Sequence, residues 1–417
     1  MPEDLFPYTG RGKRISERNE ELREKYGESA IRIETPPYEG ADFAENADKY
    51  YADDGLRAAV NVALLLGLPL LITGEPGTGK TQLAWSIAHE LELPRRAAEA
   101  DEQGAEGEAA KAGGHRPFIF HTKTTSSAKD LFYRYDALRH FQDIQLNKMR
   151  PRGADAIPEA VAVSRPLIDI DAESPSAEQQ EAGGLSLPVS GNGGAEEVRN
   201  YITFEALGLA ILLAMEPGEV GDLIPANLRF ERPTRSVVLI DEIDKAPRDL
   251  PNDILHEIEE LSFEVKEMNR SFKASKDMRP IVVLTSNSEK NLPDAFLRRC
   301  VFYNINFPDN ETDLRRIIGK RLAALPLDED KKSNAINSFL EIRKLGLRKR
   351  PATAELIVWL RLLESQQLDV GLTANREKVI DTFSVLAKNK DDWELMVKNW
   401  EKIVSSVSAA SASKKTS

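Results

Sequence analysis

The chain of 417 residues contains one cysteine, Cys300, and five histidines that share no regular spacing. A lone thiol closes no internal bridge and supplies no Cys-based zinc set, so a disulfide scaffold and a zinc-ribbon type of fold are both excluded. Long apolar runs are also missing. The most apolar stretch, Leu56 to Ile72, is broken by Arg57, Asn61, Gly67 and Pro69, and the first twenty residues hold no apolar segment of the kind a secretory signal needs. Basic residues are in deficit, with Lys+Arg 56 against Asp+Glu 68 and a net charge of −12, which argues against general affinity for nucleic acid or anionic membrane. These absences lead to the expectation of a cytoplasmic protein without membrane insertion. What is present is ordinary for a globular chain, 41% hydrophobic and 30% charged, and long enough for about two or three domains.

Residues 1–45 are polar and of mixed charge, and are expected to form an extension. From Tyr50 the text changes. DDGLRAAVNVALLLG carries apolar residues at helical spacing, with Asp53 or Asp54 as N-cap and Gly67 as the stop. LPLLITG follows as a short buried strand, and comparable runs stand at FIFH (118–121), VVLI (237–240), IVVLT (281–285) and VFYNI (301–305). Helical patterns at 81–93, 202–215 and 250–261 intervene, so strand and helix alternate and a parallel sheet covered on both faces is predicted, the core spanning 46–308. Two stretches, about 96–115 and 150–198, are rich in Ala, Glu, Gly, Pro and Ser and bury too little apolar surface to be more than surface insertions. Beyond Pro308 only helical text remains, predicting a separate helical domain over 309–405 and a disordered tail over 406–417.

The chemistry concentrates in three places. Gly74-Glu75-Pro76-Gly77-Thr78-Gly79-Lys80-Thr81, followed by Gln82, matches G-x-x-x-x-G-K-[ST] and sits between a predicted strand and a predicted helix. Glycines let such a loop curl so that its N–H groups and the helix N-terminus face phosphates; Lys80 would reach the β- and γ-phosphates, and the Thr81 hydroxyl would hold Mg²⁺. Second, Val237 to Ile240 end in Asp241 and Glu242. Asp241 at the strand tip suits Mg²⁺, and Glu242 is placed to deprotonate an attacking water. Third, IVVLTSNS presents Asn287 at the end of another strand; in a parallel sheet such ends line the ligand crevice, from which Asn287 would reach the γ-phosphate or the attacking water.

Together, GEPGTGKT, VVLIDEIDKAP and LTSNSEKNLPDAFLRRC resemble the AAA+ ATPases, and DEIDKAPRDLPNDILHEIEE resembles their MoxR branch. That resemblance, over roughly residues 50–400, implies an α/β fold: a P-loop αβα core with a five-stranded parallel sheet in the order 5-1-4-3-2, followed by an all-helical lid domain. It further implies ATP with Mg²⁺ and a homo-oligomeric ring, usually a hexamer. Lys80 and Thr81 then belong to Walker A, Asp241 and Glu242 to Walker B, and Asn287 to sensor 1. Arg299 or Arg298 would act as a finger on the neighbouring subunit, and Arg348 or Arg350, ahead of a lid helix, would be sensor 2. The hairpin-like text from Phe263 to Lys273 takes the place of a pre-sensor 1 hairpin, and 130–200 that of a helix 2 insertion. The expected function is Mg²⁺-dependent ATP hydrolysis by a ring that remodels or assembles a partner protein, and the resemblance implies a von Willebrand factor A domain protein as a partner class. The alternatives are a nucleotide-gated scaffold with slow turnover and a nucleic-acid-stimulated motor. Asn389-Lys390-Asp391-Asp392 formally matches the guanine-reading NKxD, but it joins helical segments, where Asp391 or Asp392 serves as an N-cap.

Overall fold

A computed structural model describes residues 15–26, 47–93, 115–149, 198–225, 228, 230–287, 292–322 and 328–404. The insertions at 96–115 and 150–198 lie outside these residues except at their last positions, as does the tail 406–417. The extension includes one helix, α1 (Ile15–Tyr26). Along the core follow α2 (Asp54–Leu66), β1 (Leu70–Gly74), α3 (Lys80–Glu90), β2 (Phe118–His121), β3 (Tyr133–Tyr135), α4 (Ala137–Met149), β4 (Ile202–Phe204), α5 (Ala206–Leu213), α6 (Pro217–Val220) and β5 (Val237–Asp241). The core then continues through α7 (Leu250–Glu260), β6 (Ser262–Val265), β7 (Arg270–Lys273), β8 (Ile281–Ser286), α8 (Asp294–Leu297) and β9 (Val301–Ile305).

Five strands pair in parallel in the order β2-β5-β8-β1-β9. The four other strands form two antiparallel ribbons, so the five of the main sheet, counted among themselves along the chain, stand 2-3-4-1-5, or 5-1-4-3-2 from the opposite edge. Strand alternation sends successive side chains to opposite faces, each covered by its own helices. Leu71, Phe120, Val238, Ile240 and Leu284 pack on one face with Ala210 and Ile211 of α5 and Ile254 and Leu255 of α7. Leu70, Ile72, Val237, Leu239 and Val283 pack on the other with Leu56 of α2 and Leu83 and Ala84 of α3. Each such aliphatic side chain contributes about 1.5–3 kcal/mol when fully buried, so the sheet is a rigid platform. In this register the carboxyl ends of β1, β5 and β8 come level, with Thr73 opposite Ser286 and Ile240 opposite Leu284.

Beyond Phe307 come α9 (Glu311–Arg321), α10 (Glu329–Arg343), α11 (Thr353–Ser365), α12 (Arg376–Thr382) and α13 (Lys390–Lys398). They bury a second core around Phe339, Trp359, Leu360, Phe383 and Trp400. Among the described residues no helix is long and apolar enough to cross a membrane.

Local signals place most boundaries. Asp53 caps α2 by accepting from the Leu56 N–H at 2.8 Å, and Gly67 ends it in the left-handed conformation. The expected helix over 202–215 is corrected: Ile202–Phe204 is the strand β4, paired with β3, and only Ala206–Leu213 is helical. β-Branched Ile202 and Thr203 and aromatic Phe204 suit a strand once Tyr133–Tyr135 supplies a partner. The helix expected over 81–93 runs 80–90. The 263–273 hairpin is present as β6 and β7, its turn tied down by Glu267, which accepts from Lys129 Nζ and Tyr133 Oη, each at 2.7 Å. Asn389 caps α13 by accepting from the Asp392 N–H at 2.8 Å, so the cap is Asn389 rather than either aspartate.

Candidate active site

β1 leaves the sheet at Gly74, and the chain folds back into α3 through Gly74, Gly77 and Gly79, with φ of 145°, 79° and 92°. Side chains seldom tolerate such angles, so the motif's glycines are required by geometry. A Cβ on Gly74 would lie 2.5 Å from the Ile305 carbonyl oxygen of β9. Glu75 and Pro76 stand on the exposed crest, and the Thr78 hydroxyl donates to Glu75 O at 2.8 Å. Lys80, first residue of α3, is buried and donates through Nζ to Gly74 O at 2.8 Å and Glu75 O at 3.0 Å. Burial lowers its pKa, opposed by the nearby carboxylates of Asp241, Asp244 and Glu242. Gln82, in the same turn of α3, is also buried.

Pairing of β5 between β2 and β8 brings the second motif to this loop. Asp241 Oδ1 accepts from the Thr81 hydroxyl at 3.1 Å and from the Thr285 hydroxyl at 2.6 Å. Its other oxygen lies 3.5 Å from His121 Nδ1 at the end of β2. Glu242 follows in the left-handed region, φ 57° and ψ 49°, its N–H donating to Thr285 Oγ1 at 2.9 Å. Such a conformation is costly for a residue with a Cβ, and here it turns the carboxylate out of the strand line. A 3₁₀ turn over 243–245 eclipses residues three apart and sets Lys245 Nζ 2.5 Å from Glu242 Oε2. Asn287 donates from Nδ2 to Glu242 Oε1 at 3.2 Å, while its N–H donates to the buried Asp244 at 3.3 Å.

Five of the sequence-predicted residues therefore meet: Lys80, Thr81, Asp241, Glu242 and Asn287. The paired oxygens of Thr81 and Asp241 are a hard donor set, suited to Mg²⁺, which takes one or two protein oxygens and completes its shell with phosphate and water. Among the described residues no group of three or more His, Cys, Asp or Glu side chains is arranged to hold a metal.

The arginines are placed differently. Arg299 lies exposed beyond α8, its Nε 3.5 Å from Glu259 Oε1, and Arg298 is exposed beside it. Arg348 pairs with Asp391 of α13 at 2.9 Å, and its N–H and that of Lys349 donate to the buried Asp392. Arg350 is exposed on the same loop. Among the described residues beyond β9, Arg343 reaches the Gly-rich loop, its guanidinium 2.9 Å from the Glu75 carboxylate. Sequence reasoning missed it, together with Thr285, Lys245 and His121. Thr285 carried a usable signal, a hydroxyl ending an apolar strand; Arg343 carried none, because its partners are distant in sequence.

No family model and no curated protein matches the chain. Among solved structures, a protein of Cytophaga hutchinsonii described as a candidate ATPase is similar at 11% identity and a TM-score of 0.31, over 82% of this chain and 84% of that one. The functional reading accordingly rests on the site itself: a Gly-rich loop, a buried lysine and a hydroxyl–carboxylate pair gathered at the carboxyl ends of parallel strands.

Proposed function

We propose that the chain is a Mg²⁺-dependent ATP hydrolase of the AAA+ class, resembling its MoxR branch, with residues 46–308 as nucleotide-binding core and 309–405 as lid. The observation that carries this reading is the 3.1 Å contact between the Thr81 hydroxyl of the phosphate loop and Asp241 of the neighbouring strand motif. It joins two sequence motifs at one point, where phosphates and a divalent cation would be held together.

Each residue then has a task. Lys80 exchanges the carbonyls of Gly74 and Glu75 for phosphate oxygens, and loop N–H groups from Gly77 to Thr81 add their dipoles. Thr81 and Asp241 hold Mg²⁺, whose charge offsets that of the β- and γ-phosphates. Glu242 accepts a proton at its carboxylate from the attacking water as the water oxygen bonds to the γ-phosphorus and the bridging oxygen leaves with ADP. Asn287 orients Glu242 and the water. Arg299 or Arg298, exposed on the rim, would complete the site of a neighbour in a ring, where a cation offsets transition-state charge. A ring of this kind converts nucleotide state into remodelling of a separate partner protein, with a von Willebrand factor A domain protein as the leading class. A slow, nucleotide-gated scaffold is the second reading, favoured by Glu242 having both oxygens engaged by Lys245 and Asn287.

Mass photometry of Glu242→Gln with and without ATP and Mg²⁺, beside calorimetric ATP titration of wild type and Lys80→Ala, tests the reading. Expected are ATP binding that Lys80→Ala loses and a shift to a ring-sized particle. Wild type that takes up no ATP overturns the assignment, and a bound monomer favours the scaffold.

A further inference from the structure

Resting on the nucleotide-binding reading, we infer that Arg343 is a positioning residue that relays the state of the phosphate loop to the helical domain. Its side chain is 8% exposed, which is rare for an arginine unless its donors are all used. One guanidinium nitrogen donates to Glu75 Oε2 at 2.9 Å and another to the carbonyl of Pro351, just ahead of α11. The guanidinium plane lies 3.5 Å from the ring centroid of Phe307, in the segment that links β9 to α9. A single planar cation thus joins the phosphate loop, the inter-domain connection and the entry to α11. The fixed fork of arginine suits three such directions, whereas a lysine offers one compact ammonium.

The loop end of this chain of contacts is wired to Lys80. Glu75 O accepts from Lys80 Nζ at 3.0 Å and from the Thr78 hydroxyl at 2.8 Å. For Lys80 to reach a phosphate it must leave that carbonyl, and the Glu75 peptide loses a charged donor. The carboxylate of the same residue is the one Arg343 holds. A second contact runs beside it: the Ala354 N–H donates to Gly77 O at 3.3 Å, and a Cβ on Gly77 would come 3.1 Å from that of Ala352. α11 is therefore seated on the loop, and a shift of Glu75 reaches α11 through Arg343 and Pro351. The pair is buried on the Arg343 side and exposed on the Glu75 side, so desolvation of the guanidinium offsets much of its attraction and its role is geometry more than net stability.

The test uses the full chain carrying Cys300→Ala with Arg57→Cys on α2 and Lys398→Cys on α13, both exposed, spin-labelled for distance measurement in a Glu242→Gln background. Wild-type Arg343 is expected to show an inter-label distance that changes between the nucleotide-free and ATP·Mg²⁺ forms. Arg343→Met is expected to abolish that change while still binding ATP, Glu75→Ala to abolish it in samples loaded to the same ATP occupancy as the parent, and Arg343→Lys to restore part of it. Glu75→Ala cuts the same contact from the exposed side and covers the case in which Arg343→Met fails to fold. An unaltered nucleotide-dependent change in Glu75→Ala overturns the relay, as does the absence of any change in the parent. ATP binding measured on the same samples separates the two claims: no binding by the parent overturns the functional reading, whereas binding with an Arg343-independent change overturns only the relay.

Discussion

Gly77 stands where the Gly-rich loop meets α11, and replacing it by alanine tests both sides of that seam. Its φ of 79° costs a residue with a Cβ about 1–2 kcal/mol. The added methyl would also approach Ala352 Cβ to 3.1 Å, Glu355 Oε2 to 3.3 Å and Ala354 Cβ to 3.4 Å, close enough to push α11 outward. Together these predict a loss of about 2 kcal/mol, a factor of roughly thirty in the folding equilibrium. Gly319 is the control: it is exposed inside α9, with nothing within 4 Å of its Cβ position, so Gly319→Ala should stabilise by about 0.5–1 kcal/mol. Urea unfolding of the three proteins, with the slope checked for constancy, reads both numbers. If Gly77→Ala unfolds at the wild-type midpoint, the left-handed loop and the seated α11 are wrong.

Three further outcomes follow from buried groups. Burial pushes the Cys300 thiol up to about 12 from an ordinary 9.0, so native protein at pH 8 should react with a thiol reagent more slowly than unfolded protein; equal rates would contradict the packing around β9. Trp359 donates from its indole to the Thr382 hydroxyl at 2.8 Å inside the helical domain, and Thr382→Val should cost about 1–3 kcal/mol by orphaning that N–H. An unchanged unfolding midpoint would place that donor elsewhere. Burial acts to raise the Asp392 carboxyl, but the N–H groups of Arg348 and Lys349 and the Asn389 amide outweigh it and hold the group low. Its contribution to stability is therefore complete above the ordinary carboxylate range and is lost as pH falls through the depressed value of the folded state. Asp392→Asn should be less stable at neutral pH and show a flatter acid dependence, measured by unfolding from pH 7 downward; an acid limb parallel to wild type would refute the assignment.

The parts of the site that were legible are those written locally. G-x-x-x-x-G-K-T fixes the left-handed glycines, and apolar runs such as VVLI and IVVLT mark strands that must be covered on both faces. Asp53 and Gly67 mark helix ends through hydrogen bonds made within a few residues, whereas the cap of α13 falls to Asn389 and not to the Asp391 or Asp392 that the sequence suggests. Illegible were features that depend on a distant partner. β4 reads as part of a helix until Tyr133–Tyr135 pairs with it, since its three residues carry too short a pattern to show a period of two. The Arg348 and Arg350 assignments followed position ahead of α11, whereas folding sets Arg348 against Asp391 and brings Arg343, from the end of α10, to Glu75. Spacing reveals a residue's neighbours on its own element but not the partner a buried charge finds across a domain seam.

The most direct test of the central claim is the fate of one equivalent of bound ATP. Wild type and Glu242→Gln are loaded with ATP and Mg²⁺, quenched over time and assayed for ADP and phosphate. The account predicts conversion to ADP in wild type and intact, bound ATP in Glu242→Gln. Conversion at the wild-type rate in Glu242→Gln would contradict Glu242 as the group that takes the proton from water.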